Sequence, residues 1–141
     1  MNDTIDTLVS DIEDAYSIAD SYSRCVKFMI ASLELISQYI PGPVADCFEV
    51  AKIYWSGGLD RAELDRSRVR CWRFLEGLES KKSGESASAP AVRALICVLY
   101  PEPQNSDIHE LLYWFLQQAG AVADVDDRLV EFMRRYFPKI G

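Results

Sequence analysis

The sequence predicts an all-α fold: one domain spanning residues 1–141, built as a bundle of about six to seven mostly antiparallel helices. Three observations carry that expectation. Apolar residues recur at three- and four-residue steps along almost the whole chain, and strand-like alternation is scarce. Short breaks rich in Pro, Gly or acidic cap residues separate the periodic stretches, which favours antiparallel neighbours. The chain has 141 residues, 49% of them hydrophobic. That is close to the commonest size of one domain and enough for one core.

A first helix carries Ile5, Leu8, Val9, Ile12, Tyr16 and Ala19 on one stripe, with Asp3 or Thr4 as its cap. A second covers about 22–39 and turns Tyr22, Cys25, Val26, Met29, Leu33 and Ile36 inward. Phe28, Ile30, Leu35 and Ile40 widen that face, so this helix is expected at the centre. The segment Ile40, Pro41, Gly42, Pro43 must end it, because proline cannot continue a helix. A third helix, about 44–55, places Val44, Cys47, Phe48, Ala51 and Trp55 on one side and stops at Gly57 and Gly58. Asp60 with Glu63 three residues on reads as a capping-box-like start for a fourth helix, which runs to about Leu78 and buries Leu64, Cys71, Trp72, Leu75 and Leu78.

Residues at about 80–89 are a polar, flexible loop with nothing to bury. Pro90 suits the first turn of a fifth helix, 91–100, which is almost wholly apolar and therefore belongs in the core. Residues 101–105 are a turn. Asp107 and Glu110 repeat the cap-like spacing before a sixth helix with Ile108, Leu111, Leu112, Phe115 and Leu116 inward. A last helix from about Asp126 to Tyr136 carries Leu129, Val130, Met133 and Phe137.

Several function classes are disfavoured. The N-terminal residues are acidic where a signal peptide would be basic, and the most apolar run, residues 25–40, is interrupted by Lys27 and Glu34 and is too short for a membrane span. The expected location is the cytoplasm, with no membrane partner. Cys25, Cys47, Cys71 and Cys97 lie far apart, form no C-x-x-C pair and have a single histidine for company, so they read as reduced core thiols and not as a zinc set. The net charge of −7 argues against a nucleic-acid partner, which would need a basic surface. No phosphate-binding glycine loop and no nucleophile elbow occurs. His109 stands near a helix start with no sequence partner, and the carboxylates at 11–14 and 60–65 read as solvated helix faces or caps. The expectation is a non-catalytic protein without cofactor or metal.

The most informative feature is uneven charge. The first twenty residues hold Asp3, Asp6, Asp11, Glu13, Asp14 and Asp20 and no Lys or Arg. Between Ala94 and Asp127 come Glu102, Asp107, Glu110, Asp124, Asp126 and Asp127, again without a basic residue. The helix after Asp60 carries Arg61, Arg66, Arg68, Arg70 and Arg73. Two outcomes follow. The arginine face can neutralise an acidic one inside the molecule, or an acidic surface can stay free to steer a basic protein partner. In the second case the turns around 101–105 and 120–127 form one acidic rim with Trp114 as its apolar anchor, and the partner-binding residues are Glu102, Asp107, Glu110, Trp114, Asp124, Asp126 and Asp127.

Residues 22–100 resemble a family of all-helical immunity proteins from bacterial polymorphic-toxin systems. An apolar helix breaks at Tyr39, Ile40, Pro41. A second helix ends in Trp55, Ser56, Gly57, Gly58, Leu59, and a helix then opens with Asp60, Arg61, Ala62, Glu63, Leu64. The resemblance implies a cytoplasmic protein that binds and neutralises one cognate toxin, expected here to be basic, and it transfers no binding residues. A helical adaptor or assembly domain, paired through 91–100 or the last helix, is the alternative. The sequence leaves the oligomeric state open.

Overall fold

Helix starts in this chain are set by side chains that catch the first free backbone N–H groups. Asn2 accepts from Ile5 N at 2.8 Å, Ser17 from Asp20 N at 3.3 Å, Asp60 from Glu63 N at 3.1 Å and Asp107 from Glu110 N at 2.8 Å. The structure, a computed structural model, describes residues 2–58, 60–80 and 87–140. Within them the chain forms α1 (Asp3–Ala15), α2 (Ile18–Glu34), a 3-10 turn (Ser37–Tyr39), α3 (Gly42–Trp55), α4 (Arg61–Ser80), α5 (Ser88–Ile96), α6 (Ile108–Val122) and α7 (Asp126–Tyr136), and no strand. The all-α bundle read from the sequence is what is found.

Several boundaries differ, each for a local reason. Asn2 caps α1 in place of Asp3 or Thr4. Ser17 caps α2, which starts at Ile18, four residues ahead of Tyr22, and α2 ends at Glu34 with the tighter 3-10 turn before Pro41. At the end of α3, Gly57 takes a left-handed φ of 93°. Its N–H donates to the Tyr54 carbonyl at 3.0 Å and the Gly58 N–H to the Ile53 carbonyl at 2.9 Å. This pair of bonds closes the last helical turn, and the left-handed position favours glycine. A Cβ at Gly58 would meet Ile53 Cγ2 at 2.7 Å, so that position favours glycine for space as Gly57 does for its φ. Of the loop expected at about 80–89, Ser80 belongs to α4 and Ser88 already opens α5; residues 81–86 lie outside the described residues.

The packing is largely antiparallel. The Gly57–Gly58 turn folds α4 back on α3, α5 lies against α4 and α6, and α1 runs along α6 and α7. The central position foreseen for α2 is observed: it packs on α3, α6 and α7 and buries Tyr22, Cys25, Val26, Phe28, Met29 and Leu33. Phe28 meets Phe115 and Phe137 edge-on, with ring centroids 6.3 and 5.8 Å away. Such contacts add to simple area burial. All four cysteines are free and buried. No helix among the described residues is long and apolar enough to cross a membrane.

The largest departure from the sequence reading is at α5. The helix stops at Ile96, and Cys97, Val98 and Leu99 continue as a tighter turn with N–H bonds to the third residue back. Their side chains are buried. Proline at 101 disfavours helical geometry at Tyr100, so the helical path cannot continue beyond this turn. The exposed carbonyls at this end are capped by three other helices. Trp55 Nε1 donates to Val98 O at 2.9 Å, Arg68 to Leu99 O at 2.9 Å and the Tyr22 hydroxyl to Tyr100 O at 2.8 Å. Trp55, expected as a core residue, is therefore only partly buried and acts as a donor. Replacing one donor leaves a largely dehydrated carbonyl unpaired, at a cost of about 1–3 kcal/mol. Trp55→Phe, which retains an aromatic ring without the N–H, is expected to lower the urea midpoint accordingly at an unchanged m-value. An unaltered midpoint would show that water replaces the lost donor.

Candidate functional site

The charged residues divide between two sides of the bundle. On the α4 side, four of the five arginines are engaged locally. Arg70 grips Asp46 of α3 with contacts of 2.6 and 3.0 Å, Arg68 pairs with Asp65 at 3.0 Å, Arg66 pairs with Glu63, and Arg61 reaches Glu102 at 3.1 Å. Glu102 is the one predicted partner-binding carboxylate that the arginine helix takes.

The acidic residues of α1 and of the segments flanking α6 stay free of cations. Asp3, Asp6, Asp11, Glu13, Asp14, Asp107, Glu110, Asp124, Asp126 and Asp127 have no Lys or Arg nitrogen within 4.0 Å among the described residues. Hydrogen bonds fix several of them. Asn2 donates to Asp126 at 3.2 Å, Ser106 to Glu110 at 3.1 Å, and the backbone N–H of His109 to Glu13 at 3.2 Å. These bonds tie the start of α1 to the start of α7, and the end of α1 to the start of α6.

The arrangement differs from a single rim. Helix α6 spans Ile108–Val122, roughly 20 Å at 1.5 Å per residue. The 101–105 turn lies before its N-terminus and the Asp124–Asp127 turn beyond its C-terminus, so Glu102 is separated from Asp124, Asp126 and Asp127. The antiparallel α1 joins the two ends, with Asp6 and Glu13 two turns apart on its α6 side. A groove of about 520 Å³ opens between α1, α6 and α7, lined by Ile5, Tyr113, Leu116, Gln117, Gly120, Ala121, Asp124, Asp126 and Leu129. Its floor is apolar and its edge acidic.

Trp114 is exposed, at 46%, but faces away from this groove. It lines a smaller cleft of about 240 Å³ with Trp72, Tyr100, Leu111 and Cys97. Trp72, read from the sequence as a core residue of α4, is 44% exposed there. The aromatic beside the acidic turn is Tyr113, 41% exposed. The sequence contained that signal. Tyr113, Gln117, Gly120 and Asp124 follow one another at four- and three-residue steps, one stripe of α6 and its exit, whereas Trp114 is rotated about 100° from Tyr113.

His109 is exposed and stacks on Tyr113, ring centroids 5.6 Å apart and planes 11° from parallel. Burial pushes the Cys25 and Cys97 thiols up to about 12, which keeps them protonated and inert. Cys47 donates to the Ser67 carbonyl at 3.7 Å, and its interaction with the neighbouring Cys71 lowers the Cys47 thiol and raises that of Cys71.

No protein-family model, curated protein or solved structure matches the chain. The geometry of the acidic edge is therefore the ground on which its function is argued.

The Arg70 contact has a testable pH signature. The guanidinium holds the Asp46 carboxyl below its usual range, chiefly through the direct hydrogen bond. A depressed folded value means stabilisation present above the unfolded pKa of about 4 and lost as pH falls through the folded value. Asp46→Asn is expected to be less stable than the parent at pH 7 and to converge with it as the pH falls below the ordinary carboxylate range, as read by thermal melts across pH. The pair is half exposed, so the gap at pH 7 should be small. A gap independent of pH would mean that Asp46 acts by packing and not by charge.

Proposed function

We propose that this protein is a non-catalytic immunity protein that captures a basic toxin domain with the acidic edge formed by α1, α6 and the α6–α7 turn. The observation that carries the reading is the groove beneath Asp124 and Asp126, where an apolar floor with Tyr113 is bordered by carboxylates that no cation among the described residues pairs with. Such an edge suits a lysine or arginine whose aliphatic stem packs on the floor while its charge meets the rim. The surrounding negative potential accelerates encounter with a cationic partner and is screened by salt. The resemblance of residues 22–100 to toxin-neutralising helical proteins points the same way. The location that goes with this reading is the cytoplasm.

The adaptor alternative is favoured by a different observation, the exposed Trp72 and Trp114 beside the second cleft. Pairing through 91–100 is not available to it, because Ala91, Val92 and residues 94–99 are buried in the chain's own core.

The test uses the basic toxin domain that this reading predicts as the partner and a surface-charge variant. The Asp124→Lys, Asp127→Lys double substitution is expected to slow association with that domain by about tenfold or more at low salt, with the difference shrinking near 0.5 M salt. Glu102→Lys should have little effect. Cells making the toxin should lose protection with the double variant in proportion to the lost affinity. Equal association rates for parent and double variant would remove the acidic edge from the interface.

A further inference from the structure

The end of α1 and the start of α6 bring together a second set of side chains. Glu13 of α1, Asp107 at the α6 cap and His109 in the first turn of α6 each offer one ligand atom, and these atoms lie within 4.8 Å of one another. They come from segments more than ninety residues apart in the chain, so their convergence is a product of the α1–α6 packing. We propose that Glu13, Asp107 and His109 bind a divalent transition-metal ion that clamps the end of α1 to the start of α6.

Each side chain is held in place. Glu13 Oε2 accepts from the His109 backbone N–H at 3.2 Å, and Asp107 Oδ1 accepts from Glu110 N at 2.8 Å. The other oxygen of each carboxylate remains for a ligand bond. The His109 ring is oriented by its stacking on Tyr113. Ligands oriented by neighbouring groups are a recurrent property of metal sites. The two carboxylates lie close together with no Lys or Arg within 4.0 Å among the described residues, so a cation relieves their repulsion. The positive end of the α6 dipole, equivalent to about half a charge, is outweighed by two formal negative charges.

The ligand chemistry selects the ion. One imidazole nitrogen and two carboxylate oxygens suit zinc, cobalt or manganese, whereas magnesium and calcium prefer oxygen alone. Closing the set around a tetrahedral zinc brings ligand atoms to about 3.3 Å from one another. The ligand atoms already lie within 4.8 Å, so binding zinc closes them by at most about 1.5 Å. An adjoining cavity of about 550 Å³, lined by Glu13, Asp14, Ser17, Ser106 and Asp107, leaves room for water or a partner's group in the remaining positions. The site stands whether or not the toxin reading does, because its test needs no partner.

The full chain is titrated with zinc chloride by calorimetry, with cobalt chloride by visible absorption and with magnesium chloride as the contrast. The expected result is one equivalent of zinc or cobalt, a higher melting temperature, and cobalt absorption without the near-ultraviolet band of thiolate ligation, since the cysteines are buried. His109→Ala and Glu13→Gln should each weaken zinc binding about tenfold or more while the circular dichroism of the apo protein stays that of the parent. Absence of saturable binding, zinc affinity unchanged by His109→Ala, or a thiolate band would overturn the assignment.

Discussion

The fold depends on how the chain leaves α5. A helix that ends inside a core presents carbonyls with no partner, and each one left unpaired costs more than a typical hydrogen bond returns. Here the exit through Val98, Leu99 and Tyr100 is buried or nearly so, and its three carbonyls accept from Trp55, Arg68 and Tyr22. Those donors come from α3, α4 and α2. One turn of irregular backbone thereby fixes the position of four helices. Arg68 has a further part in this, since it also lies over the Tyr100 ring at 4.8 Å and pairs with Asp65. It is the one arginine of α4 whose contact reaches into the backbone of another element's exit.

That constraint shapes the α4 side. Because α4 must bring Arg68 to Leu99, its neighbouring arginines fall on positions where nearby acids take them: Asp46 on α3, Glu63 and Asp65 on α4 itself, and Glu102 in the turn after Pro101. The Schellman-type turn at Gly57 and Gly58 sets the antiparallel α3–α4 pairing that places Asp46 opposite Arg70. These ion pairs are mostly exposed and individually weak. Their larger consequence is to neutralise the α4 side and leave the acidity of the chain elsewhere.

How much of this the sequence disclosed follows from the range of each interaction. Helix existence and the caps at Asp60 and Asp107 depend on residues three or four apart, and these were legible. The termination of α5 was not, because a run from Ala91 to Tyr100 looks uniformly apolar, and the donors that make an early exit tolerable lie 31 to 78 residues away. Trp72 was misread for a related reason: an aromatic on a helical stripe is a core candidate until the width of the facing helices is known. For the acidic edge, the segregation of charge along the chain was visible, but its geometry was not. Asp107 and Asp124 seem adjacent in a list of acidic residues, yet a whole helix separates them, and only the antiparallel α1 joins the two ends.

The position of α1 also explains why its charge stays free. Its inner face, Ile5, Leu8, Val9 and Ile12, is wholly apolar and seats the helix on α6 and α7. The neighbouring α6 has no Lys or Arg at all. Helix α7 has three arginines, but Arg128 and Arg135 both reach Glu131, and Arg134 lines a shallow groove with Asp3 and Asp11 without closing to a 4.0 Å pair. Carboxylates crowded on such an edge repel one another and destabilise the compact state slightly. A chain under selection for stability alone could relieve that strain by a single lysine on the exposed face of α6, at Gln117 or Gly120. The retained imbalance is therefore best understood through what approaches the edge from outside. A cationic side chain over the Tyr113 groove and a metal ion at Glu13, Asp107 and His109 would relieve the same repulsion at its two ends.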